Sequence, residues 1–315
     1  MSRLRGILLP VTTPFLSDSS SSVDFPVLSA NLEKWNKTGI SGYVLLGSTG
    51  ERVHLNEREY LQVIELARAQ VPNGPDGLAF VVGAGQQSTV VTINEIKKAA
   101  HAGADAVLVI TPHFYRSAIT QESLTTYYNA VADASPVGVL LYSMPALTGV
   151  NIEPETIARL SEHPNIIGVK DSSNDMAGFS KTVKLCPSDF AVMTGNGTVL
   201  LDALRAGATG GILAVGCAVP ETCLEIFRAF HSGEPERASV LQAKLTPLAA
   251  AVTTRFGIGG LKAALDLSGY QGGAVREPLR AADESARTEI ARLLEEVRAT
   301  IAELENAESG AHIRG

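Results

Sequence analysis

Eight short apolar runs, with stretches of helical spacing between them, restrict this chain more than any other feature. They begin near residues 6, 42, 78, 106, 137, 166, 190 and 210. They read Gly6-Ile7-Leu8-Leu9, Tyr43-Val44-Leu45-Leu46, Leu78-Ala79-Phe80-Val81-Val82, Ala106-Val107-Leu108-Val109-Ile110, Val137 to Leu141, Ile166 to Val169, Phe190-Ala191-Val192-Met193 and Gly211-Ile212-Leu213-Ala214-Val215. Unbroken apolar runs, as opposed to polar–apolar alternation, predict strands buried on both faces.

The segments between them carry apolar residues at helical spacing. Asn56 to Ala67 predicts a helix opened by a capping box from Asn56 to Glu59. Thr92–Ala102, Gln121–Ala134, Glu153–Ser161, Met176–Leu185 and Thr198–Ala206 repeat the pattern, and the pairs Ala102-Gly103 and Ala206-Gly207 fit helix C-caps. Eight βα units in roughly 220 residues predict an α/β fold, a (β/α)8 TIM barrel, whose closure removes both sheet edges. A doubly wound sheet would want a glycine fingerprint after its first strand, and Pro10-Val11-Thr12-Thr13-Pro14-Phe15 offers none.

Four more helical stretches follow: Glu221–His231, Glu236–Thr254, Gly260–Leu267 and Asp283–Ala307. The expected organisation is a barrel over 1–220, a helical extension packed on it over 221–308, and a disordered tail over 309–315. The run Ser19 to Ser22 reads as a flexible loop, and no linker divides the 315 residues into two domains.

Hydrophobic residues make up 45% and charged residues 19% of the chain, which excludes a disordered polymer. No apolar run approaches the roughly 20 residues needed to cross a bilayer. A net charge of −7, with both signs mixed along the chain, leaves no basic stripe for nucleic acid. Cys186, Cys217 and Cys223 show no CxxC spacing and point to reduced thiols. Strand-like sequence from Gly6 leaves no room for a signal peptide or a clear mitochondrial transit peptide, so the expected compartment is the cytoplasm.

Active sites of such barrels lie at the C-terminal ends of the strands. There the chain carries Thr12-Thr13, Ser48-Thr49-Gly50-Glu51, Thr111 with Tyr115 nearby, Tyr142, Lys170, Gly195-Asn196 and the Gly211-Ile212 edge. Lys170 is the one charged side chain in Asn165-Ile166-Ile167-Gly168-Val169-Lys170. A lysine so placed is either paired, here with Asp171, or held neutral and nucleophilic, since burial lowers its pKa from about 10.4. A neutral amine forms a Schiff base with a ketone, an electron sink for cleavage of a nearby carbon–carbon bond. Tyr142 is placed to shuttle protons at the same mouth. The turn Gly47-Ser48-Thr49-Gly50-Glu51 offers hydroxyls and amides to a substrate carboxylate, while Glu51 reads either as a helix cap or as a brace for the loop and not as a substrate ligand. The six histidines are scattered, with no metal-binding pair, and no Walker sequence or nucleophile elbow is present.

Pro10-Val11-Thr12-Thr13-Pro14-Phe15, Gly47-Ser48-Thr49-Gly50-Glu51, Leu141 to Gly149 and Gly168-Val169-Lys170-Asp171 together resemble the dihydrodipicolinate synthase and N-acetylneuraminate lyase family. The resemblance runs from Gly6 to about Leu279. It implies Lys170 as the Schiff-base lysine, Tyr142 as the acid–base residue, and Thr49, or Ser48 beside it, in a proton relay with Tyr115. It further implies that a neighbouring subunit lends Tyr115 and that Ser48 and Thr49 bind the 2-oxo acid carboxylate. Gly195 and Ile212 would line the lysine pocket, and assembly would be a homotetramer built as a dimer of dimers. Beyond the covalent imine on Lys170, it implies no cofactor and no metal.

Within the family, the synthase carries an arginine for its second substrate where this chain has Leu147. An apolar side chain does not replace a bidentate carboxylate partner. Val139 to Ser143, Glu162 to Ile166 and Ala251 to Ile258 look more like the 4-hydroxy-2-oxoglutarate aldolases, which carry asparagine where Thr49 and Leu147 stand. The expected activity is therefore a class I aldolase that cleaves a 4-hydroxy-2-oxo acid to pyruvate and an aldehyde. The alternatives are dihydrodipicolinate synthesis from pyruvate and aspartate semialdehyde, cleavage of a 3-deoxy-hexulosonate or of neuraminate, and, last, a non-catalytic paralogue that binds 2-oxo acids.

Overall fold

The computed structural model describes residues 4–74 and 77–312. Eight parallel strands, β1 (Gly6–Pro10), β2 (Gly42–Leu45), β3 (Ala79–Ala84), β4 (Ala106–Ile110), β5 (Gly138–Ser143), β6 (Ile166–Asp171), β7 (Ala191–Thr194) and β8 (Gly210–Ile212), pair in sequence order and close into a barrel. Closure is made by β8 against β1, where Ile212 stands beside Leu8. All eight lie within one residue of where their apolar runs begin, because burial on both faces leaves little sequence freedom inside them.

Helices α1 (Phe25–Trp35), α2 (Glu57–Gln70), α3 (Thr89–His101) and α4 (Gln121–Ala134) follow the first four strands. After β5 come a single short turn of helix, α5 (Pro145–Thr148), and α6 (Pro154–Leu160). The ring continues with α7 (Met176–Leu185), α8 (Leu200–Arg205) and α9 (Pro220–His231), and then come α10 (Pro235–Ala250), α11 (Gly257–Leu267) and α12 (Glu284–His312). The capping box forms: Asn56 Oδ1 accepts from the Glu59 amide and Glu59 Oε2 from the Asn56 amide, each at 3.0 Å. Gly103 and Gly207, just past α3 and α8, adopt φ of 103°, the left-handed region where a side chain is strained.

Alternation along each strand sorts side chains into two cores. Leu8, Val44, Val81, Leu108, Leu140, Tyr142, Met193 and Ile212 fill the barrel, while Ile7, Leu9, Tyr43, Val82, Val109, Leu141 and Val169 pack outward against the helices. The outer core is continuous with Leu241, Leu245 and Leu248 of α10, Leu261 of α11 and Ile290 and Leu294 of α12. Helix α9 packs on β1 and beside α8, so the first helix beyond residue 220 covers the outside of the barrel. Trp35 ties α1 to the turn after β8: it is fully buried, its Nε1 donates to the Cys217 carbonyl at 2.9 Å, and it stacks on Tyr270 at 5.2 Å. Truncating such a residue to alanine costs about 3–5 kcal/mol.

The last helix takes in Ser309 to His312, which composition alone assigns to a disordered tail; the helix extends through Ala307 and Glu308 into it, and 313–315 lie outside the described residues. Cys186, Cys217 and Cys223 are free thiols. Among the described residues no helix is long and apolar enough to cross a membrane.

Candidate active site

Strand alternation decides where Lys170 points. Val169 packs outward, whereas the register partners of Lys170, Tyr142 on β5 and Met193 on β7, belong to the barrel interior. Lys170 therefore faces inward near the C-terminal ends of the strands and is only 4% exposed. Its Nζ lies 4.4 Å from the centre of the Tyr142 ring. Asp171, next along the strand, leaves on the opposite face. Its Oδ1 accepts from the Ser173 amide at 2.7 Å, and burial raises its carboxyl above the ordinary range. Among the described residues Lys170 makes no ion pair, so the pairing with Asp171 that the sequence also allowed is not formed.

The buried Tyr142 hydroxyl shares a hydrogen bond of 2.9 Å with Ser48 Oγ. That bond separates two adjacent hydroxyls that the sequence treats alike: the partner of Tyr142 is Ser48, and not Thr49, which is 7% exposed beside it. Their loop is tightly shaped. Leu46 at its start (φ 57°) and Glu51 at its end (φ 52°) are both left-handed without being glycine. A Cβ on Gly50 would fall 2.9 Å from the Leu46 backbone nitrogen and 3.0 Å from the Val11 carbonyl oxygen, which no real side chain tolerates easily.

Gly195 follows β7 and closes over the lysine. A Cβ there would come 1.9 Å from Ser172 Oγ and 2.8 Å from Lys170 Cε, so glycine is what lets Lys170 and Ser172 stand side by side. Ser172 was not identifiable from the sequence. It lines an open groove with Pro145, Ala146, Asn151 and Asn174, and Asn196 donates to the Asn174 side chain at the rim. A larger cavity, about 660 Å³, lies at the opposite end of the barrel among Leu4, Ala79, Ala106 and Ala191, away from Lys170. Ile212, fully buried on β8, belongs to the barrel interior.

Two expected site residues stand apart. Tyr115 is 72% exposed, edge-on to Phe114 at 5.1 Å, and makes no bond to Ser48 or Tyr142 within this chain. Leu147 on α5 is 64% exposed. The Arg116 side chain lies against Gly149, the left-handed cap that ends α5. Among the described residues no group of three or more histidine, cysteine, aspartate or glutamate side chains is arranged to hold a metal ion.

Residues 3–297 match the dihydrodipicolinate synthetase family. The chain is 33% identical over 295 residues to the 4-hydroxy-tetrahydrodipicolinate synthase of Syntrophus aciditrophicus, covering 92% of this chain and 97% of the relative. It is 35% identical to that of Methanothrix thermoacetophila, covering 87% and 90%. Among solved structures, a Thermotoga maritima dihydrodipicolinate synthase superposes with a TM-score of 0.85 at 31% identity, covering 93% of this chain and 98% of that one. A prophage protein of the dihydrodipicolinic acid synthase family from E. coli K12, solved in complex with pyruvate, gives 0.85 at 27% identity with the same coverage. The chain belongs to the dihydrodipicolinate synthetase family, enzymes that make or break carbon–carbon bonds through a lysine Schiff base with pyruvate and need no metal or other cofactor.

Proposed function

We propose that Lys170 forms an imine with pyruvate or a pyruvate-derived 2-oxo acid, and that a carbon–carbon bond is made or broken at the carbon next to that imine. The observation that carries the reading is the inward Lys170 facing Tyr142, whose hydroxyl is bonded to Ser48. The free amine attacks C2 of the 2-oxo acid, the carbonyl oxygen leaves as water, and a protonated imine remains. Tyr142 and Ser48 carry protons between the carbinolamine oxygen, the substrate hydroxyl and solvent. In cleavage the C3–C4 pair moves into the imine, the C4 hydroxyl gives up its proton and an aldehyde departs. In condensation C3 of the enamine adds to an aldehyde. Ser48, Thr49 and the amides of their turn seat the carboxylate, with Gly195 and Ile212 lining the lysine pocket.

Two aldehydes suit the site, and both carry a carboxylate. The relatives' names favour aspartate semialdehyde, and they support this condensation better than the cleavage of 4-hydroxy-2-oxoglutarate expected from sequence. Arg116, held against Gly149 two residues from Leu147, offers a guanidinium for the semialdehyde carboxylate. Leu147 itself favours cleavage to glyoxylate, a smaller partner with less need of an arginine there. The exposed Phe114 and Tyr115 support a second copy of the chain lending Tyr115 to the Tyr142 and Ser48 relay, within a dimer of dimers. The free cysteines suit a cytoplasmic setting.

The test is incubation with pyruvate, reduction with borohydride and mapping of the added mass. An adduct on Lys170 is expected; its absence sinks the imine. Turnover of pyruvate with aspartate semialdehyde then assigns condensation, and turnover of 4-hydroxy-2-oxoglutarate assigns cleavage.

A further inference from the structure

The loop that carries Ser48 and Thr49 ends on Glu51, held left-handed at φ 52° and 2% exposed. A non-glycine residue keeps that conformation only where its surroundings enforce it. The enforcing group comes from 211 residues away: Lys262 Nζ, on α11 and 2% exposed, donates to Glu51 Oε1 at 2.6 Å. The same ammonium donates to the carbonyls of Thr13 at 2.8 Å and Ala274 at 2.5 Å, and lies 4.7 Å from the centre of the Phe15 ring. All three of its protons are engaged.

The other contacts run into the same loop. Thr13 Oγ1 donates to the Gly50 carbonyl at 2.7 Å, so a residue held by Lys262 through its backbone grips the loop through its side chain. Glu51 Oε2 accepts from the Arg276 amide at 3.1 Å and lies 3.2 Å from His54 Nδ1. A solvated lysine on the C-terminal helices would serve packing as well. A fully buried one with a single carboxylate partner inside the substrate loop carries a desolvation cost that packing alone does not require.

We propose that Lys262 is a positioning residue for the substrate carboxylate seat: through Glu51 and Thr13 it fixes the Ser48–Thr49 turn, which makes the C-terminal helices part of the active site. The inference rests on the reading that this turn receives the 2-oxo acid. Because Lys262 touches neither Lys170 nor Tyr142, its loss should weaken capture of the carboxylate more than the chemistry that follows.

The test compares wild type, Lys262→Met and Thr13→Val in the full-length protein by borohydride trapping over a range of pyruvate concentrations. Lys262→Met should raise the half-saturating pyruvate concentration at least tenfold, with a smaller fall in the saturating rate. Thr13→Val, which keeps nearly the same shape and removes one bond to the loop, should raise it about threefold and provides the test if Lys262→Met does not fold. A purely structural lysine would lower the thermal midpoint and leave half-saturation unmoved. Folded Lys262→Met, or failing that Thr13→Val, within the error of wild type overturns the inference while leaving the imine intact. A wild type that traps no pyruvate overturns the parent reading and this one together.

Discussion

Replacing Gly195 by alanine tests the lysine pocket at the point where it is tightest. The added methyl would stand 2.8 Å from Lys170 Cε and 1.9 Å from Ser172 Oγ. Ordinary carbon–carbon contact is about 3.5 Å, so Lys170 Cε has to retreat by roughly 0.7 Å even if Ser172 turns aside. A misplacement of about 1 Å costs on the order of a hundredfold in rate. The smaller retreat should lower the rate of adduct formation by roughly 20–100-fold, equivalent to about 2–3 kcal/mol of barrier. Stability should fall by about 1–3 kcal/mol, the usual range for overpacking. The assay is the pyruvate-dependent rate of borohydride inactivation, with the thermal midpoint measured alongside. Adding Ser172→Gly removes the hydroxyl clash and spares Lys170 nothing, so it should restore stability and leave the rate low. Adduct formation by Gly195→Ala within threefold of wild type would refute the argument that this glycine sets the lysine's position.

Three further outcomes are expected. Tyr142→Phe should reduce turnover by about 10²–10⁴-fold, and Ser48→Ala should cost more than Thr49→Val, because only Ser48 bonds Tyr142; steady-state kinetics with a folded-protein control would show the reverse order if Thr49 were the relay. Leu147→Arg should raise turnover of aspartate semialdehyde at least tenfold, measured as pyruvate-dependent product formation, and no gain would mean that Leu147 does not face the second substrate. Glu59, whose carboxyl is held below its ordinary value of 4.5 first by its hydrogen bond to Arg276, adds stability that is full above that value and is lost as pH falls through the lowered one. Glu59→Gln should therefore unfold more easily at pH 7, by at most about 1 kcal/mol because solvent screens the pair, with denaturant curves of the two proteins drawing together as pH falls from 4.5 through the lowered value.

The strands were legible because a doubly buried strand must be apolar throughout, and Gln121–Ala134 and Met176–Leu185 because one apolar face at helical spacing suffices to mark them. Helix α1 escaped the sequence reading, although Asp24 caps it and Leu28, Leu32 and Trp35 form its buried face. Helix α5 has only four residues, too few for any period to register. Lys170 and Tyr142 were legible as candidates because polar groups ending apolar strands stand out, and the structure brings the two together. Ser172 did not stand out, since what places it is the missing side chain of Gly195. Lys262 lies in an ordinary helical stretch, and nothing local marks a partner more than two hundred residues earlier.

The division of labour between strands and loops bears on how such a protein changes its substrate. Lys170 and Tyr142 sit opposite each other in a closed sheet, where a slip of one residue would put Val169 in place of the lysine and break the pairing around the whole circle. Leu147, Arg116 and Ser172 sit on short connections outside that constraint. On the proposed reading of Lys170 and Tyr142 as the reacting pair, the chemistry is insulated from changes in recognition: exchanging the four residues of α5, or the segment after β6, is expected to retune the partner aldehyde while that pair keeps its registration.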